Sequence, residues 1–154
     1  MPEIQRTISE FIAAREVPAV SGDDYVVTAV AMMTDRPCDA VVVVEDERVV
    51  GIFTERDFLN RVAAVQLDVR STRLADVMTP DPFTLRPRDA ITYAINRMAL
   101  RGFRNIPIVD DDGKALALLT VRDVVGHLSE LFQDLADGDR AEAWDEWTDI
   151  GGGA

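Results

Sequence analysis

The hydrophobic positions of this chain repeat one arrangement twice. The apolar run Val41–Val44 turns through the polar residues Glu45–Arg48 and returns as Val49–Phe53. Further along, the apolar runs Ile106–Val109 and Ala115–Leu119 flank a polar turn that contains an Asp–Gly step. Short apolar runs joined by tight polar turns are typical of β-hairpins, and Asp–Gly is a strong hairpin signal. The sequence therefore predicts two hairpins.

A helix is expected before each hairpin. Ahead of the second hairpin, Ala90, Ala94 and Met98 follow a helical period, and Gly102 is placed to end it because glycine readily adopts the left-handed conformation of a helix stop. We expect a matching helix ahead of the first hairpin. The aspartates before the two helices are their predicted N-caps, Asp23 or Asp24 in the first unit and Asp89 in the second.

Each unit is completed by a short lead-in and a closing helix. Amphipathic lead-ins, Thr7–Ile12 and Arg73–Met78, reach brief extended stretches. Closing helices are expected at Phe58–Val65 and Val124–Leu135, each starting just after an aspartate. The order β-α-β-β-α therefore occurs twice, and Gln66–Thr72 reads as a polar linker.

The two units correspond residue by residue at an offset of 66 positions. Three polar residues recur at this offset while most surrounding residues differ: Thr54 and Thr120, Arg56 and Arg122, Asp57 and Asp123. One unit is too small to bury much surface alone, so two should pack together. We predict an α+β fold of tandem β-α-β-β-α repeats with pseudo-two-fold symmetry, divided into 1–66, 67–136 and an acidic tail, 137–154.

Composition narrows the class of protein. The net charge is −12 and the pI is near 4.4, which disfavours nucleic-acid binding because such a field repels a phosphate backbone. No apolar stretch reaches the ~20 residues of a membrane span. The N-terminus lacks the pattern of a secretory signal, and a single cysteine, Cys38, suits a reducing compartment. We therefore expect a cytoplasmic protein. The tail is either a flexible acidic segment or a short helix; in the helix Trp144 and Trp147, three residues apart, share one face that can dock on its own or a neighbouring subunit.

The recurring Thr-x-Arg-Asp motif allows two interpretations. Threonine or aspartate at a strand-to-helix junction can cap free backbone amides, but capping does not explain the accompanying arginine. Alternatively, the carboxylate can accept hydrogen bonds from a ribose diol, while the hydroxyl, the helix N-terminal amides and the arginine bind phosphate. The second interpretation predicts a nucleotide site.

The tandem pattern, with strands running into "GIFTERD" and "ALLTVRD" and the segment "GFRNIPIVDDDGK", resembles the CBS domain pair, named after cystathionine β-synthase. The resemblance implies crevices between the repeats that bind AMP, ADP or ATP, and less readily S-adenosylmethionine, without an obligatory cofactor. It also implies regulation of a separate client protein and a homodimer formed through the helices.

The resemblance assigns residues to two crevices. In the first, Asp57 holds the ribose and Thr54 lies near the phosphates, together with Arg56, Arg104 and the backbone of Asn105, Ile106 and Pro107. In the second, Thr120, Arg122 and Asp123 share a crevice with Cys38 and Asp39. Cys38 stands where the other repeat has Arg104, so we expect the stronger nucleotide site in the first crevice. Ala117 replaces Gly51 and is expected to narrow the second crevice.

Several other residues have simpler interpretations. Cys38 is expected to be a small core residue, and His127 a helix-surface residue without a nucleophile nearby. The run Asp110–Asp112 lacks the spacing of a calcium loop and reads as a solvated turn. A basic group can supply ion-pair partners, which we favour, or recruit an anionic protein: Arg86, Arg88, Arg97 and Arg101.

The sequence predicts a non-catalytic, nucleotide-sensing regulatory protein. The alternative is a structural adaptor with degenerate crevices that recruits partners through its faces and tail. An enzyme is the weakest alternative, because no acid/base or metal constellation is evident.

Overall fold

The computed structural model describes residues 6–12, 16–130, 132–134 and 136. The predicted docking of Trp144 and Trp147 lies outside the described residues and stays a prediction. Within the described part of the chain, no helix has the length and apolar character needed to cross a bilayer.

The first repeat forms a mixed four-stranded sheet. Strand β1 (Ala19–Ser21) pairs in parallel with β2 (Ala40–Glu45), and β2 pairs antiparallel with β3 (Arg48–Thr54). Helix α1 (Val26–Asp35) connects β1 to β2. The fourth strand, β4 (Thr79–Pro80), pairs antiparallel with β3 although it follows the linker. The hairpin prediction is confirmed for this repeat.

The helix that follows β3 begins earlier than predicted. Helix α2 (Glu55–Asp57) starts directly after Thr54 and continues as a π-helical segment, Phe58–Ala63. The predicted start at Phe58 is therefore wrong. The motif itself forms the first helical turn, because its threonine and aspartate satisfy the amides that would otherwise be free there.

The lead-in of each repeat packs on the core of the other repeat. Helix α3 (Leu74–Val77) buries Leu74 and Val77 against the first repeat, which β4 also joins. In return, Ile8 lies in a 3-10 turn and is completely buried in the core of the second repeat. The sequence indicated that both lead-ins are amphipathic, but it did not indicate this exchange, which interlocks the repeats.

The second repeat contains helix α4 (Ile91–Arg101), strands β5 (Asn105–Val109) and β6 (Ala115–Thr120), and a closing helix, α5, at 121–130. Strands β5 and β6 form the second predicted hairpin. Gly102 ends α4 with a φ of 69°, as predicted. Helix α5, like α2, begins at its motif rather than after it, so its predicted start at residue 124 is wrong.

None of the predicted aspartate caps is an N-cap, so this prediction is wrong in both repeats. Neither Asp23 nor Asp24 caps α1; Asp24 Oδ2 instead accepts a hydrogen bond from the N–H of Ser21 (2.9 Å). Likewise, Asp89 Oδ2 accepts from the N–H of Arg86 (2.7 Å). These carboxylates close the turns that lead into the helices.

Backbone carbonyls of the exchanged segments satisfy the first amides of both helices. The N–H of Val26 donates to the carbonyl of Thr72 (2.9 Å), and the N–H of Ile91 donates to the carbonyl of Arg6 (2.9 Å). Thr72 belongs to the predicted linker Gln66–Thr72, which therefore helps to start α1. Because backbone groups fill the cap positions, no capping side chain is needed there.

The two hairpins meet at the centre of the molecule. Their facing side chains form an apolar cluster of Ala40, Val42, Ile52 and Leu118. This arrangement confirms the α+β fold of tandem repeats with pseudo-two-fold symmetry. The crevices between the repeats lie beside this central contact.

His127 is not the surface residue that the sequence suggested. Only 19% of its side chain is exposed, and its ring packs 4.3 Å from that of Phe11 in the first lead-in. Arg6 Nη1 lies 2.6 Å from His127 Nε2. His127 therefore fastens α5 to the exchanged lead-in.

Candidate functional site

Thr54 and Asp57 join β3 to α2 through reciprocal hydrogen bonds. The N–H of Thr54 donates to Asp57 Oδ2 (3.1 Å), and the N–H of Asp57 donates to Thr54 Oγ1 (3.1 Å). Thr120 and Asp123 make the same pair of bonds at the β6–α5 junction, at 2.8 and 3.2 Å. Both motifs are therefore capping boxes. The capping interpretation holds for the threonine and the aspartate, but it leaves the arginine without a role.

The second carboxylate oxygen of Asp57 holds the β4 segment. Thr79 Oγ1 donates to Asp57 Oδ1 at 3.2 Å, and Arg61 Nε lies 3.7 Å from the same oxygen. The Arg61 Nη1 group in turn donates to the carbonyl of Met78 (2.6 Å). Because the Asp57 side chain is only 13% exposed, these contacts connect the motif firmly to the segment after the linker.

A cavity of about 700 Å³ opens beside this junction, between the two repeats. The first repeat contributes Thr54, Arg56 and Asp57, and the second contributes Arg104 and Asn105. The residues assigned to the first crevice by resemblance are thus largely brought together. The volume lies within the ~300 to 1,000 Å³ that small-molecule sites usually have.

Ile106 and Pro107, whose backbone the resemblance assigned to this crevice, are absent from the described lining of the cavity. The side chains of Ile106 and Pro107 are completely buried. The carbonyl of Pro107 accepts a hydrogen bond from the N–H of Leu85 (3.1 Å), which occupies that part of the backbone. The strand therefore reaches the cavity only at its first residue.

One wall of the cavity is aromatic. The rings of Phe83 and Phe103 are stacked, with centroids 6.0 Å apart and planes inclined by 17°. The Arg97 guanidinium lies 5.4 Å from the Phe83 centroid and also contacts Tyr93. Phe103 is 37% exposed and, with Phe83, lines the cavity.

Charged groups of both signs line the same cavity. The cations are Arg56, Arg101 and Arg104, and the acidic side chains are Asp39, Glu55, Asp57 and Asp81. Among the residues that the structure describes, no carboxylate forms an ion pair with any of the three arginines. Their guanidinium groups are available to an anion. No cluster of three metal-ligating side chains occurs within the described ranges.

The predicted basic group divides into different roles. Arg86 Nε and Arg88 Nη1 lie 3.4 and 3.1 Å from Asp111 Oδ1, so these two arginines are ion-pair partners, as favoured. Arg97 packs on aromatic rings instead, and Arg101 faces the cavity.

The second crevice is a smaller cavity of about 240 Å³. Thr120 and Cys38 line it together, as the resemblance implied, and so does Ala117. Asp39 lines the larger cavity instead, so its predicted place is wrong. Arg122 and Asp123 are absent from the described lining of the smaller cavity.

Matched positions explain why the two cavities differ. At the offset of 66 residues, Phe103 of the larger cavity corresponds to Pro37 of the smaller one, and Arg104 corresponds to Cys38. The smaller cavity does contain a cation, Arg36, but its guanidinium lies 3.2 Å from Glu16 in the same lining. The smaller cavity is therefore less aromatic, and its cation is already paired.

Burial raises the pKa of the Cys38 thiol. The nearby Arg36 guanidinium opposes this effect, while the Asp39 carboxylate adds to it. A raised pKa keeps the thiol protonated near neutral pH, which suits a wall residue better than a nucleophile.

Sequence reasoning missed several cavity residues, namely Thr79, Phe83, Arg101 and Phe103. Arg101 was considered only as part of a basic group. The motif offset gave no signal for the aromatic wall, because Phe83 and Phe103 correspond to Val17 and Pro37 in the other repeat. Thr79 was missed because it approaches Asp57 only through the exchange of the lead-ins.

The sequence of this chain is similar to those of known proteins. The family model for the CBS domain matches residues 8–64 and 74–130. The CBS domain-containing protein CBSX3, mitochondrial, from Arabidopsis thaliana is 33% identical over 108 residues. That match covers 67% of this chain and 52% of the relative, so the chain spans about half of that protein's length.

Solved structures share the fold. CBSX2, a CBS-pair protein from Arabidopsis thaliana solved in complex with AMP, is 24% identical with a TM-score of 0.71, covering 82% of this chain and 98% of that one. A CBS domain protein from Pyrobaculum aerophilum, complexed with AMP, is 21% identical with a TM-score of 0.70, covering 76% and 88%. Two family matches and this shared architecture show that the chain belongs to the CBS domain family and carries two CBS domains in tandem.

Proposed function

We propose that this chain is a non-catalytic regulatory module that binds an adenine nucleotide in the larger cavity and signals its occupancy to a separate partner protein. The observation that carries the proposal is the cavity of about 700 Å³ in which the Thr54–Asp57 motif of one repeat shares a wall with Arg104 of the other. The AMP complexes of two structural neighbours support AMP, ADP or ATP as the ligand class.

The chemistry of the cavity suits the parts of a nucleotide. The Asp57 carboxylate is an acceptor for ribose hydroxyl groups, while Arg56 and Arg104 offer hydrogen bonds and positive charge to phosphate, and Thr54 lines the cavity beside them. Asp57 Oδ2 already accepts from both the N–H and the hydroxyl of Thr54. Ribose binding therefore falls to Oδ1, the oxygen that also accepts from Thr79.

This competition gives a route for the signal. A diol offers two donors, and Asp57 Oδ1 has about two acceptor sites, one of which is used by Thr79. Full engagement of the diol displaces the Thr79 hydroxyl and loosens β4, which comes from the segment after the linker. A nucleotide then shifts the arrangement of the repeats by its differential affinity for the two states.

Thermal unfolding with AMP, ADP, ATP and S-adenosylmethionine tests the proposal. At a concentration 100-fold above Kd, a ligand of the native state adds ~2.7 kcal/mol. For a chain of this size this corresponds to roughly 5 to 10 °C in Tm. An unchanged Tm with all four ligands at millimolar concentration would sink the proposal and leave the adaptor as the better account.

A matched pair of substitutions identifies the cavity. Arg104→Met should weaken nucleotide binding about tenfold or more, because it removes a phosphate contact worth ~1.5 to 3 kcal/mol. Arg36→Met makes the same change in the smaller cavity and should leave binding unchanged. Isothermal titration calorimetry of both variants measures the two affinities. A larger loss of affinity with Arg36→Met would show that the nucleotide binds in the smaller cavity and would refute the proposed site.

We also propose that the module is a cytoplasmic homodimer. Exposed apolar side chains on the π-helical segment, on α5 and on the helical residues 132–134 support a helix-mediated contact; the most exposed are Leu59, Val125 and Phe132, at 60, 53 and 68%. Sedimentation of the full chain tests it. Phe132→Asp should shift the mass toward the monomer, and an unchanged mass would exclude this face as the contact.

A further inference from the structure

The aromatic wall of the larger cavity consists of rings that pack on one another and on an arginine. The Arg97 guanidinium carbon lies over the Phe83 ring, 5.4 Å from its centroid. Phe103 stacks on Phe83 with a centroid separation of 6.0 Å and an angle of 17° between the planes. Phe83 therefore contacts both a cation and a second ring.

The two phenylalanines differ in how much of each ring remains available. Phe83 is half-buried and already contacts Arg97, Tyr93 and Phe103. Phe103 is 37% exposed and lines the cavity directly. An exposed aromatic ring in a cavity wall presents a flat, polarisable surface that a planar ligand ring can cover, and offset stacking is the favoured contact between such rings.

We propose that Phe103 is the base-stacking residue of the site, so that the nucleobase of the bound nucleotide stacks on the exposed Phe103 ring, which Phe83 supports from within the wall. This inference rests on the proposed function and adds the position of the base to it. The motif residues of the first repeat hold the ribose and phosphate, and the aromatic wall of the second repeat holds the base.

The smaller cavity supplies an internal comparison. Its residues at the matched positions are Val17 and Pro37, both of which line it, so the same fold places no aromatic ring at either position there. The stack is thus a property of the larger cavity and not a general requirement of the fold. Base stacking should therefore give the larger cavity the higher affinity for a nucleotide.

Calorimetric titration of AMP into the full-length chain tests the stacking role. Phe103→Leu retains an apolar side chain of similar size but removes the ring, and should weaken AMP binding about tenfold, since base–aromatic stacking is worth ~1 to 3 kcal/mol. Phe103→Tyr and Phe103→Trp keep a ring and should stay within about threefold of the wild type. Leu100→Ala removes an exposed apolar side chain of α4 that is not part of the described cavity lining, and it should not alter AMP binding.

Two results would overturn the assignment. If Phe103→Leu binds AMP as tightly as the wild type, Phe103 does not contact the base. If Leu, Tyr and Trp all weaken binding equally, the residue acts through the shape of the wall and not through stacking. Thermal unfolding of each variant without ligand, expected within a few degrees of the wild type, establishes that the fold is intact. Failure of the wild-type chain to bind AMP, ADP or ATP refutes the proposed function itself, whereas binding that ignores Phe103 refutes only this assignment.

Discussion

We expect Asp57 to contribute to the stability of the fold as well as to nucleotide binding. In Asp57→Ala, the capping acceptor for Thr54 is lost, at a cost of ~1 kcal/mol. The Thr79 hydroxyl loses its acceptor, which costs a further ~1 kcal/mol. The Arg61 contact at 3.7 Å adds only a few tenths at most, because that side chain is 45% exposed. The ligand-free variant should therefore be about 2 kcal/mol less stable, or roughly 4 to 8 °C in Tm.

Urea unfolding at 25 °C, without nucleotide, measures this loss directly. Glu55→Ala is the matched control: it removes a carboxylate from the same helical turn and the same cavity, but Glu55 is exposed, so its loss should stay within ~0.5 kcal/mol. Thr79→Val, alone and combined with Asp57→Ala, should reveal a coupling energy of ~1 kcal/mol between the two side chains. A loss below ~0.5 kcal/mol in Asp57→Ala, or additive effects in the double variant, would refute the connection from the motif to β4.

Two further outcomes can be measured on the ligand-free chain. Burial raises the pKa of Cys38, so its thiolate fraction at pH 8 is small; iodoacetamide should modify it more slowly than glutathione, with a rate that rises with pH, and equal or faster modification would contradict this. Ile8→Ala should cost ~2 to 4 kcal/mol. Its loss of hydrogen-exchange protection should fall on β5 and β6 of the second repeat, because Ile8 is buried there; loss confined to β2 and β3 would contradict the exchange of lead-ins.

The destabilisation expected for Asp57→Ala changes how ligand experiments should be designed. A variant whose Tm is lower than that of the wild type without ligand also has a lower Tm with ligand, even when its affinity for the ligand is unchanged. Affinities of motif variants should therefore be compared by calorimetry at a temperature at which each is folded. Arg104 is the better residue for identifying the cavity, since it forms no ion pair within the described structure.

The sequence predicted the parts of the fold that depend on local patterns. Runs of apolar residues and an Asp–Gly turn define the hairpins, and the left-handed Gly102 ends α4 as expected. The offset of 66 residues paired the motifs and, through the resemblance, placed Thr54, Asp57 and Arg104 in one crevice. These signals are local or periodic, so they can be read without knowing the tertiary contacts.

Contacts between distant segments account for most of what the sequence did not predict. An amphipathic lead-in shows that one face is buried, but not which repeat buries it. Aspartates before a helix are good caps in isolation, yet the carbonyls of Thr72 and Arg6 occupy those positions once the lead-ins have crossed. The same crossing brings Thr79 to Asp57, and so determines a contact inside the candidate site.

The asymmetry of the two cavities follows from a few substitutions on a symmetric framework. Gly51 faces Met78, and a Cβ at this position would overlap the methionine sulfur. The matched pair in the other repeat is Ala117 and Ile12, both in the wall of the smaller cavity. The longer Met78 thus accompanies the smaller Gly51, and the shorter Ile12 accompanies the larger Ala117, so packing is preserved in both repeats. Packing constrains these positions, whereas Phe103 and Arg104 line an open cavity and can differ from Pro37 and Cys38 without disturbing the core. Function can therefore be concentrated in one cavity without disturbing the shared core, and we expect one nucleotide per chain.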